Sequence, residues 1–236
     1  TSTNVISYQW QSWNGSSWNN IPGATSSVYT VNNVNTAMNT NTFRAVINGL
    51  CTTIISEPAS LYVNSLPIVQ LSASPLQSLL PGQTTSLFAS ATPAGGSYAW
   101  FKNSIPINNT GSSLVGLDID DLGVYSVVYT DMNGCTASSN NLAITATLSE
   151  KVFVYPNPNT GVFQIRFYSG VSEPVTVTIF DSKGARIYQK RMISTSPYSR
   201  LDVNLSGSVP GGIYVVEVVN AQGERIGTRR IHIGHQ

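Results

Sequence analysis

Apolar and polar residues alternate at a spacing of two along most of the chain, in short runs bounded by Gly, Pro, Asn and Ser, which is the pattern of half-buried β-strands. No stretch requires a helix. The alternation is cleanest from Leu148 onward, where it predicts seven strands at residues 152–155, 161–168, 174–180, 185–192, 200–205, 212–220 and 224–233. Tight turns at Asp181-Ser182-Lys183-Gly184 and Ala221-Gln222-Gly223 join them, and about seven such strands make a two-layer sandwich. Its opening corner is Pro156-Asn157-Pro158-Asn159-Thr160-Gly161. The two prolines beside Asn157 exclude a helix and a central strand, and Thr160-Gly161 turns the chain into the run Phe163, Ile165, Phe167.

Upstream the strand pattern occurs twice. Residues 1–64 predict short strands at 8–10, 28–31, 43–47 and 60–63, with hairpin signals at Asn14-Gly15 and Asn48-Gly49. Residues 65–147 repeat that plan in order: Tyr98-Ala99-Trp100 matches Tyr8-Gln9-Trp10, and Asn133-Gly134-Cys135 matches Asn48-Gly49-Leu50-Cys51. The runs at 68–71 and 85–89 have no counterpart before Trp10, so the first module is expected to be an N-terminally truncated sandwich, and the chain the end of a larger protein. The predicted fold is all-β, with tandem immunoglobulin-like β-sandwiches over 1–64 and 65–147 and a C-terminal β-sandwich over 148–236. Trp10 and Trp100 are expected to fill the first two cores. Asp121-Leu122-Gly123-Val124-Tyr125 fits a tyrosine corner.

Composition adds an asymmetry. Only 10% of residues are charged, so Asn, Ser and Thr must supply most of the polar surface, while 41% hydrophobic content is enough for packed cores. The formal net charge of +1 conceals two basic against five acidic residues through Thr147, and ten against six from Leu148. The basic end lacks the clustered Lys/Arg and interleaved aromatics of a nucleic-acid binder, which leaves a charged docking face as its expected role. No apolar run approaches the ~20 residues of a membrane helix. No amino-terminal signal is present, and one is expected to have been removed or to lie upstream.

Candidate chemistry is sparse. His232 and His235 lie in the tail, and no Ser or Cys sits in a nucleophile motif with a partner His, so no active site, cofactor or metal is expected. Asp118, Asp120, Asp121 and Asp131 lack the spacing of an EF-hand loop, and corner and turn roles suit Asp121 and Asp131. Trp13 and Trp18 fit either a cross-strand pair stiffening a hairpin, the preferred reading, or a platform contacting a glycan. Cys51 and Cys135 fall in different modules and are expected to be unpaired. Arg225, Arg229, Arg230, Ile231, His232 and Ile233 form a last strand whose two faces offer apolar anchors and charges, and whose open edge could add to a partner's sheet.

Two resemblances follow from these residues. Tyr8-Gln9-Trp10 with Trp18 and Ile21-Pro22-Gly23-Ala24-Thr25, and Asp121 to Tyr125 with Asp131-Met132-Asn133-Gly134-Cys135, resemble the immunoglobulin-like repeats of Bacteroidetes surface and secreted proteins. Pro156-Asn157-Pro158, Gly161-x-Phe163, Val177 to Asp181 with Gly184, Gly211-Gly212-Ile213-Tyr214, Gly223 and the ending Arg229 to Ile233 are similar to the type A C-terminal sorting domain of type IX secretion. Arg229-Arg230 stands where that family usually has two lysines, and Gly234-His235-Gln236 overhangs its customary end. The second resemblance implies passage through the outer-membrane type IX translocon, collection by a β-barrel shuttle protein, and in most members removal of the domain by a surface protease. The modules before it would then be a stalk or adhesin. The alternatives are spacers of an upstream secreted enzyme, or carbohydrate-binding modules.

Overall fold

A computed structural model describes residues 5–234. The alternating runs are strands, and the described residues hold a single 3-10 turn, Thr36–Met38, and no α-helix. They divide into two compact units. The first runs to Pro67 and takes in Thr130–Ala137; the second holds Ile68–Tyr129 and continues from Ser138.

In the first unit, β1 (Val5–Trp13), β2 (Trp18–Asn20), β3 (Thr42–Gly49), β4 (Thr53–Ile55) and β5 (Ala59–Ser60) make one sheet of order β2-β1-β3-β4, with β5 also paired to β3. Residues 5–67 form no second sheet to face it. That is why Trp10, expected to fill a core, is only half-buried. Its ring packs on Tyr29, centroids 5.9 Å apart, and its indole N–H donates to Ser26 O at 3.0 Å. The strand expected at 28–31 does not form. Tyr29 instead lies against the rings of Trp10 and Phe43, a covering role that needs no ladder partner. Of the strand expected at 60–63, only Ser60 is in a strand, as part of Ala59–Ser60.

From Ile68 the chain forms β6 (Ile68–Ser74), β7 (Ser78–Leu79), β8 (Thr85–Thr92), β9 (Ser97–Lys102), β10 (Ile105–Ile107), β11 (Ser113–Leu117), β12 (Gly123–Thr130), β13 (Thr136–Ser138) and β14 (Leu142–Ala146). Sheets β10-β9-β12-β14-β7 and β11-β8-β6 make a sandwich. The repeat read from the sequence is a repeat of topology, because β10-β9-β12 has the order of β2-β1-β3 with the tryptophan on the middle strand. Trp100 has the full core that Trp10 lacks. It is 1% exposed, and its indole N–H donates to Gly111 O at 2.7 Å.

The last strands are β15 (Phe153–Tyr155), β16 (Val162–Tyr168), β17 (Pro174–Phe180), β18 (Arg186–Ile193), β19 (Tyr198–Asn204), β20 (Gly212–Asn220) and β21 (Arg225–Ile233). All seven match the expected strands to within two residues at each end. They form sheets β15-β16-β19 and β18-β17-β20-β21. Val154, Phe163, Ile165 and Phe167 of the first sheet share one core with Val175, Val177, Ile179, Val216, Val218 and Ile231 of the second. Alternation produces this directly, since every second side chain of each strand points inward.

Candidate functional site

The segment from Pro156 to Gly161 folds back onto the last strand. Asn157 acts there as a surrogate ladder residue: its Nδ2 donates to Arg230 O at 2.9 Å and its Oδ1 accepts from His232 N at 2.8 Å. Asn159 extends the contact with its backbone, donating to His232 O at 2.9 Å and accepting from Gly234 N at 2.7 Å. The residue is 7% exposed, and its side chain closes the loop, accepting from Gly161 N at 2.8 Å and donating to Pro156 O at 3.2 Å. Gly161 sits at φ +97°, and its carbonyl accepts from Leu205 N at 2.7 Å. The loop thus supplies the hydrogen bonds that the end of an edge strand would otherwise leave open.

Along β21 the side chains divide by face. Ile231 and Ile233 are 0% and 3% exposed, so these two residues, expected to anchor a partner, are core. Arg229 is on their face, opposite Val216, but stays exposed at the rim. Arg230 and His232 are exposed on the outer face, and Arg225 Nε donates to Glu217 Oε1 at 3.0 Å. The edge that was expected to accept a partner strand is closed near its end by Asn157 and Asn159. No local pattern signals this closure, because the bonded residues are more than seventy positions apart.

The remaining motif residues shape the sandwich. Phe163 is core. Gly184 and Gly223 occupy copies of one turn. In it Asp181 Oδ1 accepts from Lys183 N and Ala185 N, and Asn220 Oδ1 accepts from Gln222 N and Glu224 N, while the glycines take φ +83° and +81°. Asp131 makes the same turn upstream, accepting from Asn133 N and Cys135 N. Gly212 opens β20, and Tyr214 Oη donates to Pro210 O at 2.5 Å. Tyr125 Oη reaches Asp121 O at the same distance and the same four-residue offset. Both are tyrosine corners. Only the first was anticipated; the signal for the second was a tyrosine in a strand four residues after a Pro-Gly-Gly turn.

Compared with protein-family models, residues 153–233 match the one described as "Secretion system C-terminal sorting domain". The last sandwich is a type IX sorting domain. Such a domain directs export through the outer membrane, to the cell surface or beyond it. Residues 1–65 match a domain of unknown function. Comparison with curated proteins gives no match. Among solved structures, the human OSCAR ligand-binding domain is 16% identical, covering 72% of this chain and 100% of its own, with a TM-score of 0.31. An amphioxus IgVJ-C2 molecule is 14% identical over 61% of this chain and 91% of its own, TM-score 0.31. A tetra-tandem repeat in the extending region of a large adhesion protein is 15% identical over 100% of this chain and 68% of its own, TM-score 0.29.

The sorting domain is tied to the sandwich before it by charge. Arg166 of β16 is 2% exposed, and its guanidinium donates to both carboxylate oxygens of Asp120, Nη1 to Oδ1 at 2.6 Å. Arg200 Nη1 adds a bond to Asp120 Oδ2 at 3.1 Å, and Tyr198 Oη donates to Thr147 O at 2.8 Å. The Tyr125 corner pins the loop that presents Asp120, and burial, with the charge of Asp121, pushes the Tyr125 phenol up to about 12. The hydrogen bond from Arg166 holds the Asp120 carboxyl below the ordinary carboxylate value, with the charges of Arg166 and Arg200 adding to it against the opposing effect of burial. Asp120→Ala is expected to cost about 1–3 kcal/mol in urea unfolding of the intact chain. That is less than the ~3–5 of a fully buried pair, because the Asp120 side chain keeps 45% exposure. A lowered folded pKa means that this contribution is complete above the unfolded value, 3.8, and fades only as pH falls below it. No change in unfolding on removing Asp120 would overturn the tie.

The other residues singled out in the sequence are engaged locally. Trp13 pairs with Trp18 across the β1–β2 hairpin, ring centroids 5.4 Å apart and planes tilted by 53°, with Arg44 4.3 Å over Trp18. Asp118 Oδ1 accepts from Asp120 N, and Asp121 lies 3.6 Å from Lys102 Nζ. Cys51 and Cys135 are free thiols. His235 lies outside the described residues.

Proposed function

We propose that the sorting domain carries this protein through the type IX translocon with the help of a β-barrel shuttle, and that the modules before it work outside the cell as a non-catalytic stalk or adhesive surface. The observation that carries the reading is the sorting-domain match over 153–233, which spans all seven strands of the last sandwich. A recognition role for the modules is supported by their side chains: the described residues hold one histidine, His232, on the sorting domain's outer face, and the upstream aspartates are bound to backbone groups, Lys102 and arginines. General acid–base or nucleophilic chemistry needs such groups to converge.

The test is fractionation of cells with a type IX system that express either the whole chain behind an inner-membrane export signal or the same chain lacking residues 148–236. The whole chain is expected at the surface or in the medium, and the shortened one in the periplasm. Equal surface delivery of both would overturn the reading.

A further inference from the structure

The sorting domain has two outer sheet faces, and the preceding sandwich reaches only one. On the outer face of β15-β16-β19, Arg166 and Arg200 hold Asp120. The outer face of β18-β17-β20-β21 is free of such contacts in the described chain, and the register fixes what it displays. Arg191, Thr176, Val219 and Arg225 form one row across all four strands, and Arg186, Phe180, Val215 and Arg230 form another. Between them runs the row Gln189, Thr178, Glu217, Thr228. Arg186 Nη1 donates to Gln189 Oε1 at 3.2 Å, which agrees with both side chains lying on this face despite the bulge between them.

Each flanking row therefore ends in an arginine on both edge strands. The four arginines frame a patch roughly 14 Å across the strands and roughly 13 Å along them, from the spacing of strands and residues in a sheet. All four are exposed, while Thr176, Phe180, Val215 and Val219 in the centre are half-buried. The only carboxylate in the three rows is Glu217, which is paired with Arg225. A sheet face with apolar and threonine side chains at its centre and arginines at its corners suits a protein surface carrying matching carboxylates, because arginine takes carboxylates bidentately and loses little hydration in doing so. Arg166 and Asp120 make that contact within this molecule.

We infer that a protein of the export machinery docks on the outer face of the four-stranded sheet through an acidic surface, its carboxylates engaging Arg186, Arg191 and Arg230. This rests on the proposed reading that the sorting domain is recognised for export, and it moves the contact from the last strand alone to a face that includes β18. Because Arg225 is held by Glu217, the other three arginines are the ones available.

The test uses the whole chain carrying Arg186→Glu, Arg191→Glu and Arg230→Glu together, beside a control with Lys151→Glu and Lys183→Glu, two exposed lysines outside the three rows. Protease accessibility on intact cells reads surface delivery, and thermal melting of the purified chains reads folding. The face variant is expected to lose about tenfold or more of its surface delivery with its melting unchanged, and the control to be delivered normally. If the glutamates impair folding, the three glutamines replace them and the same loss is expected. Normal delivery of a folded face variant overturns the inference, and so does an equal loss in the control, which would make net charge rather than this face responsible. Arginine-dependent sedimentation of the purified chain with phosphatidylglycerol vesicles would identify a lipid surface as the occupant and also overturn it. If the chain lacking residues 148–236 is itself delivered, the sorting reading fails. If that chain is trapped and the face variant is not, only the docking face is wrong.

Discussion

Gly161→Ala is expected to destabilise the sorting domain by about 3–5 kcal/mol, a large part of what holds a domain of this size together. Two effects add. At φ +97° any Cβ is strained, and here it would lie 2.7 Å from Ser206 N and 2.8 Å from Ser206 Cα, backbone atoms that cannot rotate away. Relief would require moving the 205–207 turn, which is held by the bond from Leu205 N to Gly161 O. The same movement would disturb Asn159, which accepts from Gly161 N and bridges to the end of β21. Gly223→Ala is the control: its φ is +81° and nothing lies within 4 Å of the added Cβ, so only conformational strain of about 1–2 kcal/mol is expected. Urea unfolding of the two variants reads the difference. Equal effects would mean that the Pro156 to Gly161 loop is not packed against the 205–207 turn as described.

Trp100→Ala is expected to cost about 3–5 kcal/mol, the range for emptying a fully packed aromatic site, and Trp10→Ala about 1–2 kcal/mol. Equivalent positions in the repeat suggested equal effects. They differ because Trp100 lies in the core of a two-sheet sandwich, whereas Trp10 lies on one sheet with Tyr29 as its partial cover. Removing Trp100 also leaves Gly111 O without its indole donor. Fluorescence-detected unfolding of each variant checks the ranking. A Trp10 effect as large as that of Trp100 would show that another surface covers β1 in solution.

The strands were largely legible because their signal is local. Phe163, Ile165 and Phe167 announce an inward face whatever they pack against, and Asp181 with Gly184 or Asn220 with Gly223 encodes a turn within five residues. The tyrosine corner at Tyr125 was readable for the same reason. The strand expected at 28–31 failed because a β-branched and aromatic run becomes a strand only beside a neighbour to pair with, and Tyr29 serves instead as cover for two rings.

The candidate site was legible in composition and not in arrangement. Alternation placed Arg229, Ile231 and Ile233 on one face of the last strand and Arg230 and His232 on the other, but it could not say that the first face is core. Nor could it show that Asn157 closes the edge, that Asp120 finds Arg166, or that Arg186 and Arg191 frame one surface with Arg225 and Arg230. The all-β class, the seven strands of the last sandwich and the motif order that marks its family are all written in local pattern. Which strand edges are closed, which arginines are already paired and which face is left open emerge only once the chain is folded. Periodicity and turn chemistry act over a few neighbouring residues, whereas burial and hydrogen-bond satisfaction depend on whatever distant segment the fold brings alongside.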